Sequence, residues 1–542
     1  MSRPFVRQLG NQPGVQLNPL VDQTDGVVPD NSDQVLAIVG RFTRGPVDRA
    51  FQVNRSNLLQ KTGPAEALRL NALNEAKLQV YEALQNGAYA AVISRLVPEA
   101  AEKKWAVLRF EEAGTVAFAV SATQPNADYS LALLHHDCHN DGIIVGVHAD
   151  QTPVNGMPVA NEYLTLRVLD ADGAKLHEFY GSLSETAVND FGASMYLPDV
   201  VARQTEAVEM VVATGASVPT NSVAYGRANG EDRWATSSGL ICFDEGSIVY
   251  TPTDLDAAVA RLRETELGFG YIISGGTGDT ALIGKLAALA IEANVFFKVD
   301  LPGRLTPTEA MTLLETYAFD SHYIHAYWAP FEADDPLNGG RATWGTGGLI
   351  AGMSCARNAR VNAKGFAPKN YPIAGKAHPV GRTGIRQNYR PTQQELSDLA
   401  ALKINPVIFQ TFNGGGRYVP TDSLTTAKTT VSFRKLQSVA EMTATLDNWV
   451  TLYARELLQS PMTVFIRKMK SFLDTLLSNA QASGWLVPSR DIDGVPALPG
   501  NAAFAYDVKP SEVRPADLAL VSYWTSCDGV VRQVIVEQTL TR

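Results

Sequence analysis

The chain has 542 residues, 45% of them hydrophobic and 19% charged, with a formal net charge of -10. That length and apolar content allow large buried cores in about three domains. The acidic balance argues against non-specific nucleic-acid binding, which needs a basic face for the phosphates. Cys138, Cys242, Cys355 and Cys527 are scattered without CxxC spacing and read as reduced, buried thiols. The opening MSRPFVRQLGNQPGVQ lacks the apolar stretch of a signal peptide. No apolar run approaches the ~20 residues of a membrane helix. The expectation is a soluble protein with no cleavable signal.

Residues 1–34 are rich in Pro, Gly, Asn, Asp and Gln and cannot build a core of their own. They read as an extended arm with strand-like pieces around Val15 and Val27. Residues 35–102 begin an α/β unit. QVLAIVGRF is an apolar strand, NEAKLQVYEALQNG a helix stopped at Gly87, and YAAVISRLV a second strand. From 103 to 243 helical periodicity nearly vanishes. Short alternating strands such as KWAVLRF, TVAFAVSA, IIVGVHA and EYLTLRVLD indicate an inserted all-β sandwich or barrel.

Helix–strand alternation resumes over 244–390. TPTDLDAAVARLRE, DTALIGKLAALAIEAN and LTPTEAMTLLETYA read as helices, and GYIIS, VFFKVD and HYIHAYW as strands. The α/β unit is therefore split around a β insertion. Residues 391–524 carry two long helices. One spans roughly 438–458, and the next opens with Ser460 as N-cap and Pro461 at its first position. Residues 525–542 end in DGVVRQVIVEQTLTR, an alternating β-branched strand with no turn after it. A strand without a partner in its own sequence must dock elsewhere or template another chain.

Candidate chemistry is sparse. His135, His136, Cys138 and His139 are metal-like in type, but a zinc site needs a second ligand cluster, and the other histidines are isolated. The turn Ser274–Thr280 follows a strand and opens a helix, where phosphate can bind. The Walker pattern fails there, because Leu286 follows Lys285 where Ser or Thr is needed. GMSCA places Ser354 in a subtilisin-like setting, yet His322 and His325 lie in a strand rather than in the loop such a base occupies. Glu111–Glu112 and Asp334–Asp335 are adjacent pairs, read as surface charge. No catalytic, cofactor or metal site is expected.

Several phrases resemble the tail sheath proteins of contractile bacteriophages and related contractile particles. They are AIVGRFTRGPVDRAFQV, NGAYAAVISRLV, IISGGTGDT, GGLIAGMSCARNARVNAKGFAPKN, LKINPVIF and FRKLQSVAEM. They carry the Gly365-Phe366-Ala367-Pro368-x-Asn370 turn and the Ile404-Asn405-Pro406 strand. After GGGRYV the chain departs from the family pattern, reading PTDSLTT. The resemblance covers the α/β and C-terminal parts and leaves out the insertion.

What the resemblance implies is an α/β domain of subtilisin-like topology without protease function. It implies stacked hexameric rings around a tail tube, with the tube protein, baseplate and tail terminator proteins as further partners. It implies no nucleic acid, membrane insertion or cofactor, and a place in the virion after assembly in the host cytoplasm. Terminal arms are expected to join neighbouring subunits, at 12–28 and 528–541, through Val15, Leu17, Val27, Val28, Val530, Val531, Val534, Ile535, Val536 and Leu540. Pro13, Gly14, Gly26 and Gly529 would be hinges. The insertion is expected to face outward. The alternatives are the sheath of a bacteriocin or secretion-like particle and, from another class, an α/β hydrolase or nucleotide-binding enzyme. Secretion-system sheaths are typically split over two chains, which favours a phage or bacteriocin for this single chain.

Overall fold

The computed structural model describes residues 31–111, 115–149, 163–217, 231–246, 248–492, 495–536 and 538, with short pieces at 153–154, 157–158 and 227–228. The protein is mixed α/β with several sheets. In chain order, the α/β elements before the insertion are β1 (Val35–Gly40), β2 (Phe51–Val53), α1 (Glu75–Gln85) and β3 (Ala90–Arg95). Next come β4 (Trp105–Phe110), β5 (Val116–Ser121), β6 (Leu131–His135), β7 (Ile143–Ala149), β8 (Tyr163–Asp170), β9 (Lys175–Ser182), α2 (Leu197–Gln204), β10 (Val208–Val212) and β11 (Ala235–Thr236). The alternation resumes with α3 (Pro252–Glu264), β12 (Tyr271–Ile273), α4 (Thr280–Glu292), β13 (Phe296–Leu301), α5 (Pro307–Tyr317), β14 (Ile324–Trp328) and α6 (Gly347–Asn358). After these come α7 (Gln393–Ala401), β15 (Ile404–Phe412), β16 (Gly415–Pro420), α8 (Gln437–Glu456), α9 (Met462–Ala482), β17 (Phe504–Pro510) and β18 (Ala519–Thr525).

One eight-stranded sheet has the order β2-β3-β1-β12-β13-β14-β15-β16. Its six inner strands are parallel, and β2 and β16 add antiparallel at the edges. The strands are apolar on both faces because both are covered. Val35, Ala37 and Val39 pack with Leu255, Val259, Leu282 and Leu286 of α3 and α4. Leu36 and Ile38 point the other way, onto Ala76 and Val80 of α1 and Ala351 and Cys355 of α6. The period-two split of one apolar run thus builds a three-layer core.

The sheet draws strands from both sides of residues 103–243 and continues through Pro420. The expected division at 390/391 is therefore corrected. The Ile-Asn-Pro strand belongs to the sheet, because buried Asn405 donates to the carbonyls of Ala326 and Leu424 and accepts from the Leu424 amide. Helices α3 and α5 are capped by the residues that precede them. Thr251 and Thr306 each close a capping box, with Pro at the helix start. At α9 the expected Ser460 cap is not formed; the helix begins at Met462 with Pro461 as its N-cap residue.

Residues 103–243 carry two antiparallel four-stranded sheets, β9-β8-β7-β11 and β10-β6-β4-β5. Their inward residues, among them Leu108, Leu131, Leu133, Val145, Val147, Leu166 and Phe179, share one core. The last part of the chain packs α8 and α9 around Met442, Leu446, Met469, Leu473 and Trp485. Phe366 of the Gly-aromatic turn meets Trp449 and Trp485 edge to face, and the Trp485 indole donates to the Ala367 carbonyl. The β17–β18 hairpin, absent from the sequence expectation, packs partly on this core through Val508, Val521 and Tyr523.

Candidate functional site: an assembly surface at the C-terminal end

The motifs singled out in sequence have structural roles here. The His135–His139 loop is the joint between insertion and sheet. Arg95, fully buried, donates to the carbonyls of Gly45 and Cys138 and to Asn140 Oδ1. Arg44 pairs with Asp141 and Asp170. The rings of His135 and His139 meet edge to face at 4.9 Å. Burial, followed by neighbouring positive groups, pushes them down to about 3 and about 2, so both are neutral. Among the described residues, no group of three or more His, Cys, Asp or Glu is arranged to hold a metal ion.

In the Ser274–Thr280 turn the glycines serve close packing. A Cβ on Gly275 would lie 2.7 Å from Ile38, and one on Gly276 would lie 2.5 Å from Glu75. The α4 N-terminus is occupied by Asp279, whose carboxylate accepts from the amides of Ala281 and Leu282. A phosphate would have to displace that carboxylate.

Ser354 is fully buried inside α6 and donates to the Ile350 carbonyl at 2.8 Å. It has no exposed face for a substrate. Glu111 pairs with Arg109, and Asp334 with Arg341. Asp335 is instead buried and caps a turn through the amides of Leu337 and Asn338. Glu112 lies outside the described residues.

Sequence reasoning missed the strongest electrostatic feature, a buried ionic hub where α8 meets the sheet. Glu441 of α8 contacts Arg357 of α6 and lies 3.9 Å from Nζ of Lys298 on β13. All three are at most 6% exposed. Burial pushes the Glu441 carboxyl up, but Arg357 and Lys298 outweigh it and leave the group at about 2. Burial lowers Lys298 to about 8 despite Glu441. Asp300, two residues along the strand, accepts from the amides of Thr346 and Gly347 at the start of α6. Glu75 beside it is pushed up by burial and by Asp300 to about 7. A hub this enclosed fixes helices; it does not meet substrates. No local pattern announces it, because its members come from positions 298, 357 and 441.

The accessible features lie at the C-terminal end. Neither outer edge of the β17–β18 hairpin pairs with another described strand. Strand β18 turns Leu520 and Trp524 outward, with Trp524 52% exposed. Between α8 and β18 runs a groove bordered by Thr443, Leu446, Asp447, Tyr523 and Thr525. The Asp528 amide is bonded to the Trp485 carbonyl, and the tail runs on from there. Residues 529–536 form no strand in the single chain. Val531, Val534, Ile535 and Val536 are 74–88% exposed, and Val530 is intermediate. Val15, Leu17, Val27, Val28 and Leu540 lie outside the described residues.

Several chains of solved structures align with this one. A sheath tail protein from Desulfitobacterium hafniense aligns at 11% identity and a TM-score of 0.49, over 94% of this chain and 100% of that one. A chain of the contracted anti-feeding prophage baseplate aligns at 12% identity and 0.49, over 98% and 99%. A chain of the contracted PVC sheath complex of an extracellular contractile injection system aligns at 12% and 0.41, over 53% and 74%. No protein-family model and no curated protein matches the chain.

Proposed function

We propose that this chain is a structural sheath subunit that polymerises with copies of itself as stacked hexameric rings around a tail tube. The single observation that carries the proposal is the pairing, at one end of the molecule, of an open-edged hairpin with an exposed, β-branched tail. Each is the half of an interface that the other can complete by β-augmentation. A neighbour's tail added to the hairpin gains main-chain hydrogen bonds worth about 0.5–1.5 kcal/mol net each. Several such links per subunit hold a lattice by avidity.

Residues 12–28 are proposed as the second arm, hinged at Pro13, Gly14 and Gly26, with Gly529 as the hinge of the tail. The split α/β unit is a non-catalytic core of subtilisin-like topology, and the β insertion faces outward. Links of this kind let rigid subunits rotate and slide while the mesh stays joined. The extended sheath is held by a kinetic barrier until the baseplate triggers contraction, which drives the tube through the bacterial envelope for genome delivery. The tube, baseplate and terminator proteins are its partners, the virion is its location, and assembly takes place in the host cytoplasm. No cofactor enters this scheme. The enclosure of Ser354 and the Asp279-capped helix argue against the hydrolase and nucleotide-binding readings.

Electron microscopy of the purified protein should reveal ringed, hollow tubes. Deletion of 528–542 should leave a folded subunit that forms none. Tubes formed by the truncated chain would refute the arm mechanism.

A further inference from the structure

We infer that Asp422 and Arg532 form a parking latch, which holds the C-terminal tail on its own subunit until a neighbour takes it. The contact itself is read from the single chain; its consequence for assembly rests on the sheath reading. Arg532 Nε donates to Asp422 Oδ1 at 2.8 Å, and the second fork nitrogen bonds Oδ2. This is a two-pronged guanidinium–carboxylate pair, the geometry in which Arg is specific and Lys is not a substitute. The side chains are only 26% and 16% exposed. Asp422 follows the last strand of the large sheet, whereas the tail is rooted at Asp528 on the helical unit. The latch therefore bridges two parts of the subunit across four residues, a reach of roughly 13 Å.

Three features make the contact releasable. Lys403 lies within electrostatic range of Asp422, Arg532 and Lys435. The Asp422 carboxylate therefore keeps a counter-charge when Arg532 withdraws. Asp422 also retains its bond from the Ser423 amide. Beyond the latch, Val534, Ile535 and Val536 remain exposed, so a neighbour can engage the apolar face before the polar fork lets go. At the root, a Cβ on Gly529 would lie 3.2 Å from the Phe433 ring, so glycine leaves the tail room to swing there. A partly screened two-pronged pair restrains a flexible segment by about three- to tenfold. A subunit that must open before it links has its assembly threshold raised by the same factor.

The test uses the full chain below its assembly threshold. Trypsin cuts after Arg532, and in Asp422→Asn the cutting rate there should rise about three- to tenfold, because Asn keeps the Ser423 bond but not the ion pair. An unchanged rate overturns the latch. Arg532→Gln serves as the second variant, read by faster amide exchange over 529–536; equal exchange overturns it. Above threshold, both variants should form tubes at a three- to tenfold lower concentration. A raised threshold would place the Arg532–Asp422 pair inside the assembled tube and overturn the latch. A wild-type chain that never forms tubes removes the sheath reading alone, since cleavage and exchange still report the contact.

Discussion

Replacing Glu441 by Gln is the sharpest probe of how the C-terminal helices are fixed to the sheet. The substitution keeps size and removes the charge that two buried cations share. Arg357 cannot lose its proton and is left with neutral acceptors, Asn358, the Tyr371 carbonyl and the new amide oxygen, but no counter-charge in the hub. At 3.9 Å, Lys298 and Glu441 attract by roughly 4 kcal/mol at an effective dielectric near 20. Lys298 can instead shed its proton. With Lys298 near 8 in the folded wild type, that costs only about 1.4 kcal/mol at pH 7, which caps the loss on its side. Arg357, left charged and buried without its carboxylate, carries the rest, so a total loss of about 3–5 kcal/mol is expected. The assay is urea unfolding followed by tryptophan fluorescence, since Trp328 and Trp485 are fully buried.

The pH dependence gives a second reading of the same variant. In the wild type Lys298 sits near 8 folded and 10.5 unfolded, so stability gained with rising pH begins only around pH 8. In the variant Lys298 is neutral when folded and charged when unfolded already at pH 7. Its stability should climb by about 1.4 kcal/mol per pH unit between 7 and 8, where the wild type changes much less. A loss under ~1 kcal/mol, or a pH response like the wild type's, would refute the hub as described.

Two further outcomes follow from buried groups and close backbones. His135, His139 and His325 are held near 3, 2 and 3 by burial, against 6.5 when unfolded, so the unfolded chain takes up more protons as pH falls below 6.5. From pH 7 to 5.5 this removes about 4 kcal/mol of stability, while Glu75, held near 7 against 4.5, returns about 1.5. Asp137 and Asp300, also pushed up by burial, act in Glu75's direction. A net loss near 2 kcal/mol should appear as a lower urea midpoint at pH 5.5, and an equal or higher midpoint would contradict the neutral-histidine assignment. Gly348→Ala and Gly352→Ala should each destabilise by about 2–3 kcal/mol, because the new Cβ would lie 2.4 and 2.5 Å from the carbonyls of Gln79 and Ala83 where α6 crosses α1. Thermal melting near wild-type values would show that this crossing can open.

Local order fixed much of the architecture. The alternation in VLAIVG sends successive side chains to opposite faces, and the Thr-Pro openings of α3 and α5 cap their helices within four residues. Such signals act over a few bonds, so they can be read without knowing the partner. Likewise the β-branched alternation of the tail is legible locally, although in the single chain residues 529–536 form no strand and Arg532 holds Asp422. Tertiary structure decided what lies beyond that range. Glu441 looked like an ordinary helix residue until folding set it against Lys298 and Arg357. The His135–His139 loop has metal-like residue types but no second ligand cluster, and only the fold shows Arg44 and Arg95 making it a joint. The hairpin 504–525, half-exposed and with weak alternation in FAYDVKP, became visible only through the helical core beneath it. Each of these depends on groups brought together from distant parts of the chain, and desolvation, which sets their charge and energy, is a property of the packed interior alone.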